Sequence, residues 1–205
     1  MSTCTARSGA AGVQLKRAVC ARCLRAKSAC ICAWIAPVAS SVELLILQHP
    51  LEVGNAKNSA RLLHLSVSPS RMVTGETFDA AVLTALLEEG GRTPVLLYPD
   101  TPGAPSSAMP EAPAKLRLVI VDATWRKSRK MLYCNPLLQT LPRMTLRAMP
   151  PSHYRIRKAH APDQLSTLEA AAYALMQFDA DPARWQGLLD AFDGFVGQQL
   201  SYVPA

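Results

Sequence analysis

The chain has 205 residues, 49% of them apolar, and a formal net charge of +7. That length suffices for one substantial α/β domain with a small appendage and excludes two full domains. No apolar run approaches a membrane span, and the first nineteen residues lack the continuous apolar segment of a signal peptide, so a soluble cytoplasmic protein with no membrane partner is expected.

The charge is unevenly spread. No acidic residue precedes Glu43, whereas Arg7, Lys16, Arg17, Arg22, Arg25 and Lys27 all do, and residues 123–162 carry nine Arg or Lys without one Asp or Glu. Two basic windows around a neutral or acidic middle are the footprint of a polyanion binder, a stronger reading than a merely solubilising surface.

Residues 1–16 are small, polar and aperiodic, which predicts a flexible arm in which Cys4 is an incidental thiol. Residues 17–36 form a cysteine knuckle. Cys20-x-x-Cys23 and Cys30-x-Cys32 place four soft ligands within thirteen residues, enough for a tetrahedral thiolate site around structural zinc. A disulfide pair is disfavoured in a reducing cytoplasm; an iron–sulfur cluster stays open as an alternative. Four thiolates leave no coordination position for substrate, so the knuckle, with Arg22, Arg25 and Lys27 projecting from it, reads as an RNA-docking module that Trp34 packs onto the main domain.

The main domain is expected over residues 37–205. Residues 42–47 read as a buried strand ended by Gln48-His49-Pro50, and residues 56–65 as a helix presenting Lys57 and Arg61 on one face. A short strand at 71–74, an apolar helix at 78–87 stopped by Gly90-Gly91, and a strand at 94–98 follow. Residues 99–113 hold five prolines and predict a surface loop. This strand–helix alternation predicts a largely parallel sheet with helices on both faces.

The centre of the chain is residues 117–130. Val119, Ile120 and Val121 are a β-branched run suited to a strand buried on both faces, and Asp122 stops it. A carboxylate therefore stands at a strand's carboxyl end, the edge where open α/β sheets bind ligands. Thr124, Trp125 and the cations Arg126, Lys127, Arg129 and Lys130 follow at once. Asp122 and Thr124 are also respectable caps for a helix starting near Trp125, with Trp125 as a core anchor. Beyond it, residues 131–141 extend the helix through a turn at Asn135-Pro136, and 143–147 alternate as a strand. His153, Tyr154, Arg155, Ile156, Arg157 and Lys158 interleave aromatic and cationic groups as single-stranded nucleic acid requires. Residues 165–178 read as a helix with Ser166 as N-cap and Glu169 closing a capping box, its N-terminus presenting N–H groups to a carboxylate. A last helix, 182–200, carries Trp185, Leu188, Leu189, Phe192 and Val196 at core spacing.

Four separated signatures, in order, carry a resemblance to a known family: Cys20-Ala21-Arg22-Cys23 with Cys30-Ile31-Cys32; Gln48-His49-Pro50-Leu51-Glu52; Asp122-Ala123-Thr124-Trp125; and Leu165-Ser166-Thr167-Leu168-Glu169-Ala170. They span residues 20–176, and the sequence resembles the DTW-domain family of tRNA-uridine aminocarboxypropyltransferases. The resemblance implies a SPOUT-like, trefoil-knotted α/β domain. It implies transfer of the 3-amino-3-carboxypropyl group from S-adenosylmethionine to N3 of a tRNA uridine. Asp122, Thr124 and Trp125 become the catalytic group, with Asp122 either the base for the N3 proton or the partner of the donor's ammonium. Asp122, Trp125, Ser166, Thr167 and Glu169 become donor-binding residues. His49, Glu52, Lys57, Arg126, Lys127, Arg129, Lys130, Arg155, Arg157 and Lys158 are assigned to the RNA. An S-adenosylmethionine-dependent RNA methyltransferase and a non-catalytic zinc-knuckle RNA-binding protein are the alternatives.

Overall fold

The structure is a computed structural model that describes residues 18–100, 112–146, 149–153 and 165–202. The expected arm at 1–16, most of the proline-rich loop, and Arg155, Arg157 and Lys158 lie outside the described residues.

Five strands, β1 (Val38–Gln48), β2 (Val67–Thr74), β3 (Thr93–Leu97), β4 (Leu116–Asp122) and β5 (Arg143–Met144), form one all-parallel sheet in the order β2-β1-β4-β3-β5. The helices are α1 (Ala60–Ser66), α2 (Ala80–Glu88), α3 (Trp125–Cys134), α4 (Pro136–Gln139), α5 (Thr167–Met176) and α6 (Gln186–Leu200). No helix among the described residues is long and apolar enough to cross a membrane.

Side-chain parity along β1 and β4 splits the core. Leu44, Ile46, Leu118 and Ile120 point to one face and pack with α1, α5, α6 and Trp185; Leu45, Leu47 and Val119 point to the other and pack with α2, α3 and α4. Both faces are covered, which is why these strands read as unbroken apolar runs rather than alternating ones.

At the sheet's amino edge, buried Arg117 ties strand to helix. Its guanidinium donates to the carbonyls of Leu86 (2.5 Å), Leu87 (3.0 Å) and Glu89 (2.6 Å) at the end of α2 and to Glu43 (3.0 Å). Gly90 and Gly91 follow at φ of 73° and 63°, the left-handed turn that ends the helix as expected.

Three predicted boundaries are corrected. The first helix begins at Ala60, not 56, because Asn55 Oδ1 accepts from Lys57 N–H (3.0 Å) and Asn58 Oδ1 from Ala60 N–H (3.1 Å), two side-chain turns that hold the chain out of the helix. Lys57 therefore shares no helix face with Arg61. Strand β1 starts at Val38, since Val38 and Ala39 pair with Val67 and Ser68 before a register irregularity. Strand β5 is only two residues long, pairing Arg143 with Leu96 and Met144 with Leu97, rather than the expected 143–147.

Candidate active site and metal centre

From β1 the chain passes through α1 to β2 on one side; from β4 it passes through α3 and α4 to β5 on the other. The carboxyl ends of β1 and β4 are thus a topological switch point, where a crevice opens above the sheet. Gln48 and Asp122 are register partners there, and His49 N–H adds a last rung to Asp122 C=O at 3.0 Å. Asp122 has the parity of Leu118 and Ile120, so its side chain faces α1 and α5.

Its surroundings follow from that direction. Asp122 is 3% exposed. Its Oδ2 accepts from Gln48 Nε2 (2.9 Å) and Asn58 Nδ2 (2.7 Å), and its Oδ1 from Thr167 Oγ1 (2.8 Å). All three donors are neutral, and no ion pair to Asp122 occurs among the described residues. Burial pushes its carboxyl above the ordinary carboxylate range; the bonds from Gln48, Asn58 and Thr167 pull the other way, and the nearby Glu52 charge adds to the rise. Two bonds fill Oδ2 and one occupies Oδ1, so one acceptor position is left on Oδ1.

Two cavities meet beside it. The larger, about 550 Å³, is lined by the ends of β3, β4 and β5, by Trp125 and Ser128 of α3, and by Leu165, Ser166, Thr167 and Ala170. That volume lies in the range of small-molecule sites. The smaller, about 110 Å³, has a wall that includes the polar residues Asp122, Glu52, Asn55, Lys57, Asn58 and Thr124; Ala123, Ser166 and Thr167 line both.

Neither residue of the capping alternative caps α3. Asp122 is turned to its three donors, and Thr124 stands at the N-cap position with no side-chain bond to the helix while lining the small cavity. Trp125 is 43% exposed at the larger cavity, so it is no core anchor. Its ring meets Tyr98 edge-on, centroids 5.8 Å apart, and Tyr98 is fixed in turn by its hydroxyl on Ser128 Oγ (3.1 Å).

Glu169 performs the capping-box role in full. Its carboxylate accepts from Ser166 N–H (2.7 Å), His153 N–H (2.8 Å) and the Ser152 hydroxyl, and it lines neither cavity. Beyond the box, it also holds the 152–153 segment. The α5 N-terminus is also less open than expected: Leu168 N–H donates to Ser59 Oγ and Glu169 N–H to Ser166 Oγ.

His49 is buried, its Nδ1 accepting from Leu51 N–H (3.1 Å) and its Nε2 facing Glu76 (3.1 Å). That arrangement fixes the turn after β1. Glu52 binds Lys127 Nζ (2.9 Å) and Asn55 Nδ2 (3.0 Å). Burial pulls its carboxyl up, but the Lys127 and Asn55 contacts outweigh it and hold Glu52 below the usual range. Lys127 accordingly turns into the site, and Lys130 pairs with Glu76 (3.0 Å). Arg126 and Arg129 remain exposed, with no ion pair among the described residues. Tyr133, 81% exposed one turn further along α3, continues their face.

Sequence reasoning assigned no role to Gln48, Asn58, Tyr98 or Tyr133. Gln48 carried a usable signal, a polar residue ending a buried strand as Asp122 does. Asn58, ten residues later in a turn, carried none.

The four knuckle sulfurs of Cys20, Cys23, Cys30 and Cys32 lie within 4.8 Å of one another, with Cys20 to Cys32 at 3.6 Å and Cys23 to Cys30 at 3.7 Å. No disulfide joins them. A tetrahedron with metal–sulfur bonds of about 2.3 Å has edges of roughly 3.8 Å, so this donor set fits a single metal ion. Backbone N–H groups of Cys23 and Arg22 hold the Cys20 thiol down to about 6, whereas burial and the neighbouring thiols push Cys32 up to about 12. Arg25, expected to project outward, is turned onto the main domain. Trp34 packs against Gly194 of α6, where no Cβ would fit, and donates to Gln198 (2.6 Å), as its anchoring role required.

The DTW domain sequence model matches residues 17–200. The chain is 31% identical over 193 residues to tRNA-uridine aminocarboxypropyltransferase 2 of Drosophila melanogaster, covering 90% of this chain and 76% of that protein. It is 27% identical to the proteins of the same name from Mus musculus and Macaca fascicularis, covering 91% of this chain and 65% of each. No solved structure matches the chain significantly. The match over nearly the whole length, with the four signatures in order, makes this chain a member of the DTW domain family.

Proposed function

We propose that this protein modifies tRNA by transferring the 3-amino-3-carboxypropyl group of S-adenosylmethionine to N3 of a uridine. The observation that carries the reading is Asp122: a buried carboxylate at the switch point, with no ion pair among the described residues, bonded by three neutral donors and set where two cavities join. A carboxylate held only for structure has no need of a raised pKa, whereas a general base benefits from one.

In this reading the donor's nucleoside occupies the larger cavity against Tyr98 and Trp125, and its aminocarboxypropyl chain reaches the junction at Ala123, Ser166 and Thr167. The uracil enters from the small cavity. Asp122 Oδ1 takes the N3 proton into its remaining acceptor position as N3 forms a bond to the donor's Cγ. The Cγ–sulfur bond breaks with its electron pair passing to sulfur, which leaves as a neutral thioether. Choice of Cγ over the methyl is a matter of which carbon lies in line with N3, so placement is the main catalytic demand. Trp125 contributes binding rather than acceleration, because its attraction to the sulfonium fades as positive charge leaves sulfur.

Arg126 and Arg129 contact tRNA phosphates, and Lys127 orders Glu52 instead. The metal of the knuckle is zinc, in keeping with four thiolates. The same reading carries a SPOUT-like, trefoil-knotted chain course and a cytoplasmic location.

The test is incubation of the purified protein with unmodified tRNA and donor labelled in either the methyl or the carboxyl carbon, followed by nucleoside mass spectrometry. Carboxyl label on uridine is expected. Methyl label on the RNA would establish a methyltransferase instead, and neither label would leave an RNA-binding protein without catalysis.

A further inference from the structure

We propose that the cysteine knuckle is a brace for the active site and that Arg25 is the positioning residue through which it acts. Arg25 lies between Cys23 and Cys30, held in place by the knuckle's own bonds, Cys20 N–H to Arg25 C=O and Leu24 N–H to Cys20 C=O, both 2.8 Å. Its guanidinium leaves the knuckle and donates to the carbonyls of Ala56 and Asn58, the latter at 2.7 Å, while its plane lies over the Phe195 ring of α6 with 5.2 Å to the centroid. Arg61 returns a bond from α1 to the knuckle at Arg22 C=O (3.1 Å). The knuckle's other side is fastened to α6 and the chain beyond it by Trp34 on Gly194, Gln198 to Cys30 C=O (3.1 Å) and Tyr202 to Ser28 C=O (2.8 Å).

The segment so clamped belongs to no strand or helix. Among the described residues, the backbone–backbone bonds made by 53–58 are short-range turns, Val53 to Pro50, Asn55 to Glu52 and Asn58 to Asn55, and the longer reach is by side chain, with Gln48 Nε2 donating to Asn58 Oδ1 at 3.4 Å. Such a segment opens easily unless tied from outside. It nevertheless supplies Asn58, whose orientation must be right: Oδ1 accepts from Ala60 N–H (3.1 Å), which leaves Nδ2 to donate to Asp122 Oδ2 (2.7 Å). The covalent and hydrogen-bonded path therefore runs from the four sulfurs through Arg25 and the Asn58 carbonyl to the Asn58 amide and the Asp122 carboxylate. Metal drawing the sulfurs together fixes Arg25; loss of metal frees it, and Asn58 with it.

The catalytic part of this inference rests on the proposed transferase reading; the mechanical part does not. The rival role for Arg25 is a phosphate contact, and the two separate cleanly. In metal-loaded Arg25→Ala, metal content stays at one ion per chain, hydrogen exchange of a peptide covering residues 53–60 rises toward the level of chelator-treated wild type, and exchange in β4 is unchanged. With tRNA as substrate, kcat falls about ten- to a hundredfold, the cost of a misplaced site, while tRNA affinity and its salt slope hold. Arg25→Lys, which keeps the charge but lacks the fork, recovers only part of kcat and replaces Arg25→Ala in every measurement if the latter does not fold. Unchanged exchange over 53–60, or weaker tRNA binding with a salt slope reduced by about one, overturns the brace. If the wild type transfers nothing, the functional reading fails, and the exchange measurement still decides this one.

Discussion

Asp122→Asn should make the protein more stable at neutral pH while abolishing transfer. Asparagine matches aspartate in shape: its oxygen keeps the bonds from Gln48 and Asn58, and its amide donates to Thr167, whose hydroxyl reverses its role. What changes is the charge. Desolvating a carboxylate this deeply costs several kcal/mol, and three bonds from neutral donors to an ion return about 1.5–3 kcal/mol each. The balance is close, and its sign is given by the raised titration of Asp122, in which burial outweighs the donors. The folded state therefore holds the proton to higher pH than the unfolded chain. Stability from that proton is present below the ordinary carboxylate value and is lost as pH rises through the folded value, so toward alkaline pH the wild type bears a cost that asparagine does not. The gain expected is about 1–2 kcal/mol, typical of a relieved active-site residue, or roughly 2–8 °C in Tm for a chain of this size. Thermal melts of both proteins from pH 4 to pH 9 measure it: the difference should be largest at pH 8 and vanish near pH 4. A variant that melts below wild type at pH 8, or a gain indifferent to pH, would refute the reasoning.

Three further outcomes are expected. Trp125→Ala removes a ring contact worth on the order of 1 kcal/mol that fades in the transition state, so in steady-state kinetics the KM for donor rises about fivefold, kcat does not fall, and kcat/KM changes less than KM does. Lys127→Met leaves Glu52 without its ammonium; because the folded Glu52 carboxyl sits below its ordinary value, that stability is present above the ordinary value and lost as pH falls through the folded one. Urea unfolding should show a loss of about 1–2 kcal/mol at pH 7, limited by the partial exposure of Lys127, and a smaller difference near pH 4. Arg126→Ala and Arg129→Ala should each lower the salt slope of tRNA binding by about one in filter binding, and Tyr133→Ala should weaken binding by about 1–3 kcal/mol if a base stacks there, with the slope unaltered.

The parallel sheet was legible because its central strands are apolar on both faces, and the motif end at Asp122 was legible because a charged residue stopped one of them. The capping box at Ser166 and Glu169 was equally readable, since its spacing is local. Less visible were the partners that decide what Asp122 does. Gln48 lies seventy-four residues away and reaches the carboxylate only through strand register; Asn58 arrives by way of two side-chain turns that also displaced the predicted start of α1. The inward turns of Lys127 and Arg25 were hidden for one physical reason: a cation in a basic stretch looks solvent-facing until the fold supplies an acid or a carbonyl within its reach. Glu52 supplies the one, the turn at residues 56–58 the other.

Parity explains why the site assembles at this end of the sheet and on this face. Connections leave β1 and β4 in opposite directions, so their adjacent carboxyl ends are left uncovered by either crossover. Whatever residue ends β4 with the parity of Ile120 must then point into the layer of α1 and α5 rather than that of α3. A carboxylate so aimed meets the turn before α1 and the start of α5, both of which present neutral hydrogen-bond donors, while of the cations that begin α3, Arg126 and Arg129 stay exposed and Lys127 is taken up by Glu52. Sequence neighbours are thereby divided by one strand end. Asp122 makes no ion pair among the described residues although positive charge stands two to six residues beyond Thr124, and that is what allows a buried acid to titrate high beside an otherwise basic helix.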